Sequence, residues 1–455
     1  MFQIKTRKKP LLILYLTLLL SVLVSLIIDD GTNRSLYILF ISTLSVFFIC
    51  YSCNKITSPA SLLIISSFVF LGCRPFLSLF TSFDYRNGDW FITGYLDKDV
   101  IYANYAISFM YFGYSVALIL SNNNSTRREC YSLNQINPNI RFLFVLFLFG
   151  SLGQILKGLY FYSFIESNSY VGIYQDKVNL PMGYDFLSYL FYCSFFLICA
   201  FYDKLRVNKL FLLISILIAA FSAMKGSRGE FITFLLTVFC IYYNERKVSN
   251  IRLLLKMFLI FIAIFTVSEF VSMWRSGGSF IALIEGDNPL LQFIYGMGVS
   301  YIAIYQSVKI TLISGVFDFH YLISQLLITI SSVLGGQVYL PDISYSHLVS
   351  KTANPQLYQQ GFGLGGSYLG ESFLAMGLIG CFIIPFIVLF LINNLERFTK
   401  YNKTFYFLYY SSLPSVLFIP RETLLYFFPY VIKGIVVAFL FICYSNIKMR
   451  RFNNG

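Results

Sequence analysis

The chain has 455 residues, of which 57% are hydrophobic, 19% aromatic and only 12% charged. That balance excludes a soluble multidomain protein and describes a chain whose solvent is mostly lipid. Two histidines exclude haem pairs and histidine-rich metal centres, and the formal net charge of +13 comes without the basic-aromatic modules of a nucleic-acid binder.

A basic N-terminus, Lys5 to Lys9, precedes a long apolar run with no A-x-A-like cleavage site, which predicts a retained first helix. Runs of roughly 17 to 25 apolar residues cross about 30 Å of hydrocarbon as helices. Such runs fall over 11–28, 36–50, 60–80, 100–120, 141–160, 184–202, 209–224, 230–243, 253–271, 368–392, 404–419 and 424–444. The third holds Arg74 and the last holds Lys433. The predicted class is therefore an all-α polytopic membrane protein with about twelve transmembrane helices. Its predicted organisation is 1–271 for spans one to nine, 272–367 for a large external loop with amphipathic helices, and 368–455 for spans ten to twelve and a tail. Two apolar stretches in the loop, Leu290 to Val308 and Tyr321 to Leu334, lie against the membrane, pack over its mouth, or cross as an extra pair to make fourteen spans.

Cation bias sets the orientation, because Lys and Arg are retained in cytoplasmic connections. The connections on the side of the two termini hold 21 of the 34 cations but only four of the 21 acids, a net +17 against −4 for the remainder. Both termini are thus expected in the cytoplasm, and the long loop on the other face. Cys50-x-x-Cys53 is the one close cysteine pair among nine, with no histidine nearby to complete a zinc site, so the cysteines read as buried thiols.

On the outer face, Lys225-Gly226-Ser227-Arg228-Gly229-Glu230 is a charged, glycine-punctuated turn between two apolar runs. Arg228 offers a planar fork matched to phosphate oxygens and Lys225 a compact charge, and backbone N–H groups at a helix start add anion affinity. The bland alternative is a solvated hairpin touching lipid head groups or pairing with Glu230. Arg275, after Trp274, and Arg421, in the turn Pro420-Arg421-Glu422, lie at the same predicted boundary. There they read either as anion ligands or as interfacial anchors and ion pairs. His347 is a candidate general base, or a surface histidine. Glu371 enters the tenth run near its outer end, where a carboxylate is costly unless it faces a cavity, pairs, or caps the helix.

The pattern Gly366-Ser367-x3-Glu371-x5-Gly377-x2-Gly380 after a long external loop, together with the Arg228-Gly229 turn, resembles the bacterial O-antigen and capsule repeat-unit polymerases (Wzy-type). With about a dozen spans and one large loop, the resemblance covers most of the chain. It implies a glycosyltransferase of the inner membrane. That enzyme moves a growing polysaccharide from undecaprenyl diphosphate onto the incoming lipid-linked repeat unit in the periplasm, with membrane lipid and a chain-length regulator protein as partners and no nucleic acid. In that scheme Arg228, assisted by Lys225, Arg275 and Arg421, neutralises the departing diphosphate. Glu371 or His347 deprotonates or orients the acceptor hydroxyl, and Tyr339, Tyr345 and Tyr358 stack on sugar faces. No metal or other cofactor is required. The rivals are an O-antigen ligase, a lipid-linked oligosaccharide flippase, and a metal-dependent polyprenyl-phosphate glycosyltransferase using Asp29-Asp30 or Asp97-x-Asp99.

Overall fold

The computed structural model describes residues 8–53, 56–81, 85–87, 91–92, 94–121, 139–175, 183–222, 228–244, short pieces between 252 and 266, 289–333 and 343–453. Among them every regular element is a helix. In chain order these are α1 (Lys8–Ile27), α2 (Gly31–Cys53), α3 (Pro59–Ser78), α4 (Asp97–Ser121), α5 (Ile140–Gln175), α6 (Tyr184–Phe201), α7 (Lys209–Ala220) and α8 (Arg228–Asn244). Then come α9 (Pro289–Met297), α10 (Ser300–Ser314), α11 (His320–Val333), α12 (Tyr345–Ala353), α13 (Pro355–Gln359), α14 (Tyr368–Phe398), α15 (Lys403–Phe418) and α16 (Phe428–Asn453). Among the described residues, seven segments are long and apolar enough to cross a membrane: Lys9–Ile27, Gly31–Cys53, Pro59–Ser78, Asp97–Ser121, Ile140–Ser167, Tyr184–Phe201 and Tyr368–Phe398. Helices α7, α8, α15 and the apolar part of α16 match four further expected runs but are shorter. The expected run 253–271 lies mostly outside the described residues.

The fold divides into two compact units that interleave in sequence. The first comprises Met1–Thr126, Ile284–Asn394 and Leu417–Tyr426, and the second Arg127–Leu283, Leu395–Val416 and Phe427–Gly455. In the first unit, Ser58 caps α3 by accepting the Ser61 N–H (3.3 Å), and Pro59, which has no N–H to lose, follows at the first helical position. The middle of α3 widens to a π-turn over Phe68–Gly72, an irregularity that recurs at functional sites. One turn later Arg74 is buried, with its Nε donating to the Tyr295 carbonyl (2.8 Å) and its guanidinium 4.1 Å from the Tyr295 ring centre. A cation inside an apolar helix thus finds an aromatic face and a carbonyl instead of water.

α10 and α11 have 15 and 14 residues, about 22 Å and 21 Å long. Each falls short of the roughly 20 residues that a crossing needs. α14 departs most from expectation, because its apolar run predicts one crossing over 368–392. Gly377 adopts φ 61° and ψ −145°, open to glycine and to few other residues, and the chain turns back there. Cys381 Sγ consequently reaches the Leu369 carbonyl at 3.7 Å, whereas residues twelve apart in a straight helix lie about 18 Å apart. A short arm, 368–376, therefore packs antiparallel on the start of a longer arm, 378–398. Hydropathy could not show this, since both arms are apolar.

In the second unit, α5 and α6 pack at backbone contact, because Gly150 and Gly153 lie where a Cβ would run into Phe191 and Leu187. Lys157 and Asp185 close the end of that pair at 2.6 Å.

Candidate functional site

The first unit gathers four of the residues singled out above around the short arm of α14. The glycine run reaches it from α13 with Gly365 at φ 77°. Gly366 lies so close to Glu422 and Thr423 that an added Cβ would come within 3.2 Å of the Glu422 backbone. The Gly366 N–H donates to the Arg421 carbonyl at 3.3 Å. A turn of helix later, Glu371 is fully enclosed, and its Oε2 accepts the Leu424 N–H at 2.6 Å. Two hydrogen bonds thus latch the 419–426 turn, which carries Arg421, onto the glycine run and the start of α14. The Arg421 guanidinium lies 5.9 Å from the centre of the Phe70 ring, which belongs to the π-turn of α3.

The same latch leaves Ser367 Oγ, Thr423 Oγ1 and Glu371 Oε1 buried with no hydrogen-bond partner among the described residues. Such groups are costly to bury without a partner, and here three fall on two adjoining segments.

His347 is brought to this region by α12. Tyr345, two residues earlier, is fully buried, and its hydroxyl shares a hydrogen bond with Ser307 (2.7 Å) and reaches the Ala303 carbonyl (3.1 Å). It also sits against Gly370, where a Cβ would collide with it. On the other side of His347, Ser350 Oγ accepts the Leu364 N–H at 3.0 Å. α12 is therefore stapled on both sides of His347 to the segment that bears Glu371. His347 is partly buried, and its Nδ1 lies 2.8 Å from the Tyr358 hydroxyl. Burial pushes its imidazole below the ordinary histidine range, so the neutral ring predominates at pH 7. When Nδ1–H donates to Tyr358, the Nε2 lone pair is left for an incoming proton.

That shift has a sign. Because the folded value is depressed, neutral His347 is the form the fold favours, and protonation is resisted until the pH falls below the ordinary histidine value near 6.5. Any activity that uses the neutral His347 ring is expected to fall on acidification with a midpoint below 6.5, and the acid limb should vanish from the residual activity of His347→Gln. A pH–rate profile on reconstituted protein checks this; a midpoint at or above 6.5 would contradict it.

Other expected residues fall elsewhere. Lys225, Arg275 and Tyr339 lie outside the described residues. Arg228 is the first residue of α8, in the second unit, and its side chain lies outside the described residues. The reading of Tyr345 as a sugar platform meets a physical obstacle, because its ring is enclosed and offers no open face. Tyr358 is partly exposed and spends its hydroxyl on His347. Asp30 accepts the Thr32 N–H (3.0 Å) and the Asn33 amide (2.8 Å) at the start of α2. Asp97 lies 3.9 Å from Arg86. The Leu424 N–H, the decisive partner of Glu371, had no signature in the sequence, since a backbone donor does not depend on residue type.

A family model described as O-antigen polysaccharide polymerase Wzy matches residues 11–451, nearly the whole chain. The chain belongs to this family. No curated protein and no solved structure matches it. The matched range takes in residues of both units, Glu371 and Arg228 among them. Membrane-length apolar helices and Wzy membership together make this a multi-pass membrane protein of polysaccharide biosynthesis, with the glycosyltransferase-type activity of a polymerase.

Proposed function

We propose that this Wzy-family chain elongates O-antigen, or a related surface polysaccharide, on the periplasmic face of the inner membrane. The donor is the growing glycan on undecaprenyl diphosphate, and the acceptor is the incoming lipid-linked repeat unit. An acceptor hydroxyl attacks the anomeric carbon, the bond from that carbon to the diphosphate oxygen breaks, and the diphosphate leaves with the bonding electrons. Its developing charge is met by Arg228, Lys225, Arg275 and Arg421, cations of the chain in the place where other glycosyltransferases use a metal ion. His347 Nε2 takes the hydroxyl proton, held in its tautomer by Tyr358.

Glu371 has a different part in this reading. A fully enclosed carboxylate that already accepts a backbone N–H is poorly placed to meet a sugar, but it is well placed to hold the turn that presents Arg421. That latch is the observation that carries the proposal, because it joins the Ser367–Gly380 pattern to one of the cations the chemistry needs. A deletion strain provides the test. Loss of the long-chain surface ladder, with a single repeat unit still attached to its lipid anchor, is the expected profile. Loss of even that single unit would point to a flippase or a ligase instead.

A further inference from the structure

At one end of the second unit, polar groups of α5, α6 and α8 meet among apolar helices. Lys157 and Asp185 pair at 2.6 Å. About one turn along, Ser188 donates to the side-chain carbonyl of buried Gln154, whose amide donates to the Tyr192 hydroxyl at 3.4 Å. Tyr192 also hydrogen-bonds Ser222 and lies within electrostatic reach of Glu230, in the first turn of α8 and two residues after Arg228. The starts of α6 and α8 therefore share this end of the unit.

α16 adds a cation there. Gly434 is buried where a built Cβ would lie 3.3 Å from Leu408 and 3.5 Å from Ser411 of α15, and the Phe441 ring meets Phe201 of α6 at 5.5 Å. Those contacts fix the rotation of α16 and turn Lys433 toward α6. Its Nζ lies 5.4 Å from the centre of the Tyr189 ring and 5.8 Å from that of Tyr430. Lys433 is exposed, about 8 Å along α16 from Phe428, and no carboxylate among the described residues pairs with it. Asp185, one turn before Tyr189, is already engaged by Lys157. An ionisable group on an apolar membrane helix is costly, and two ring faces hold this ammonium without neutralising it. Its N–H donors remain for an anion.

The same face of α16 continues as Val436 (51% exposed) and Leu440 (61%), three and seven residues beyond Lys433. A cation above an exposed apolar stripe fits a ligand with an anionic head and a long hydrocarbon chain. The reaction proposed above brings two such molecules together. The donor's departing diphosphate is met by Arg228, Lys225, Arg275 and Arg421, whereas the acceptor's diphosphate keeps its bond and has no cation assigned to it.

We propose that Lys433, framed by Tyr189 and Tyr430, holds the diphosphate of the acceptor lipid, with the polyprenyl chain along Val436 and Leu440. The identity of the lipid rests on the polymerase reading. The cation, its ring frame and the stripe stand without that reading.

The test titrates the full chain in detergent with undecaprenyl diphosphate and counts bound lipid on the intact protein by native mass spectrometry. Wild type should hold two molecules and Lys433→Met one, while Lys433→Arg should hold two because arginine keeps the charge and the donors. Excess phosphatidylglycerol should displace neither. Two molecules on Lys433→Met would overturn the site, and so would displacement of one by phosphatidylglycerol, which would make Lys433 a general head-group anchor. Arg228→Ala tests the catalytic reading separately and should lose the other molecule. If Arg228→Ala keeps both while Lys433→Met loses one, the catalytic reading fails and the Lys433 site stands. Lys433 is exposed, so its replacement opens no cavity, and a monodisperse elution profile verifies each variant's fold.

Discussion

Glu371→Ala is expected to abolish the long-chain polysaccharide ladder, whereas Glu371→Gln should retain a large share of it. The alanine variant strands the Leu424 N–H in the interior and releases one of the two bonds that hold the 419–426 turn. A hydrogen bond to a carboxylate contributes roughly 1.5–3 kcal/mol, and its loss from a positioned group corresponds to about 10- to 150-fold in rate. Glutamine keeps an acceptor oxygen for Leu424, and its amide can donate to the unpartnered hydroxyls of Ser367 or Thr423. A general base would show the opposite pattern, because glutamine cannot take a proton and both variants would be equally inactive. Ladder length by gel electrophoresis, normalised to protein in the membrane fraction, separates the two roles. Equal inactivity at equal protein level would move Glu371 from positioning to proton transfer.

Arg228→Ala should be as severe, with Arg228→Lys recovering little. The argument comes from the ligand. A diphosphate presents paired oxygens to a planar fork, and an ammonium group supplies charge without that geometry. Arg228 is the first residue of a 17-residue helix, and the N–H groups of that first turn carry a fixed partial positive charge. Removing one preorganised donor from a charge-stabilising site costs on the order of 100- to 1,000-fold. Turnover of purified lipid-linked repeat units by reconstituted variants measures it directly. Full-length product from Arg228→Ala would return the turn to a lipid-facing anchor, and efficient rescue by lysine would show that charge alone suffices.

The site was legible in the sequence to different depths. Glu371, His347 and Arg421 stood out because ionisable groups are rare beside apolar runs. Their association was not legible, since 24 residues separate His347 from Glu371 and 50 separate Glu371 from Arg421, and nothing in residue type fixes a contact at that distance. Tyr345 shows the converse error. An aromatic in a long loop reads as a sugar platform, yet the same ring beside a glycine and a serine becomes a packed core residue.

By itself the sequence determined the class: an all-helical chain with apolar runs of crossing length. These follow from transfer free energies and charge, which depend on composition and spacing. Only the tertiary structure decided that the apolar run over 368–392 reverses at Gly377, that Glu371 faces a backbone N–H of a distant turn, and that α12 is stapled beside it. Those outcomes depend on a single φ angle and on which backbone groups lie within 3 Å, quantities to which hydropathy is blind.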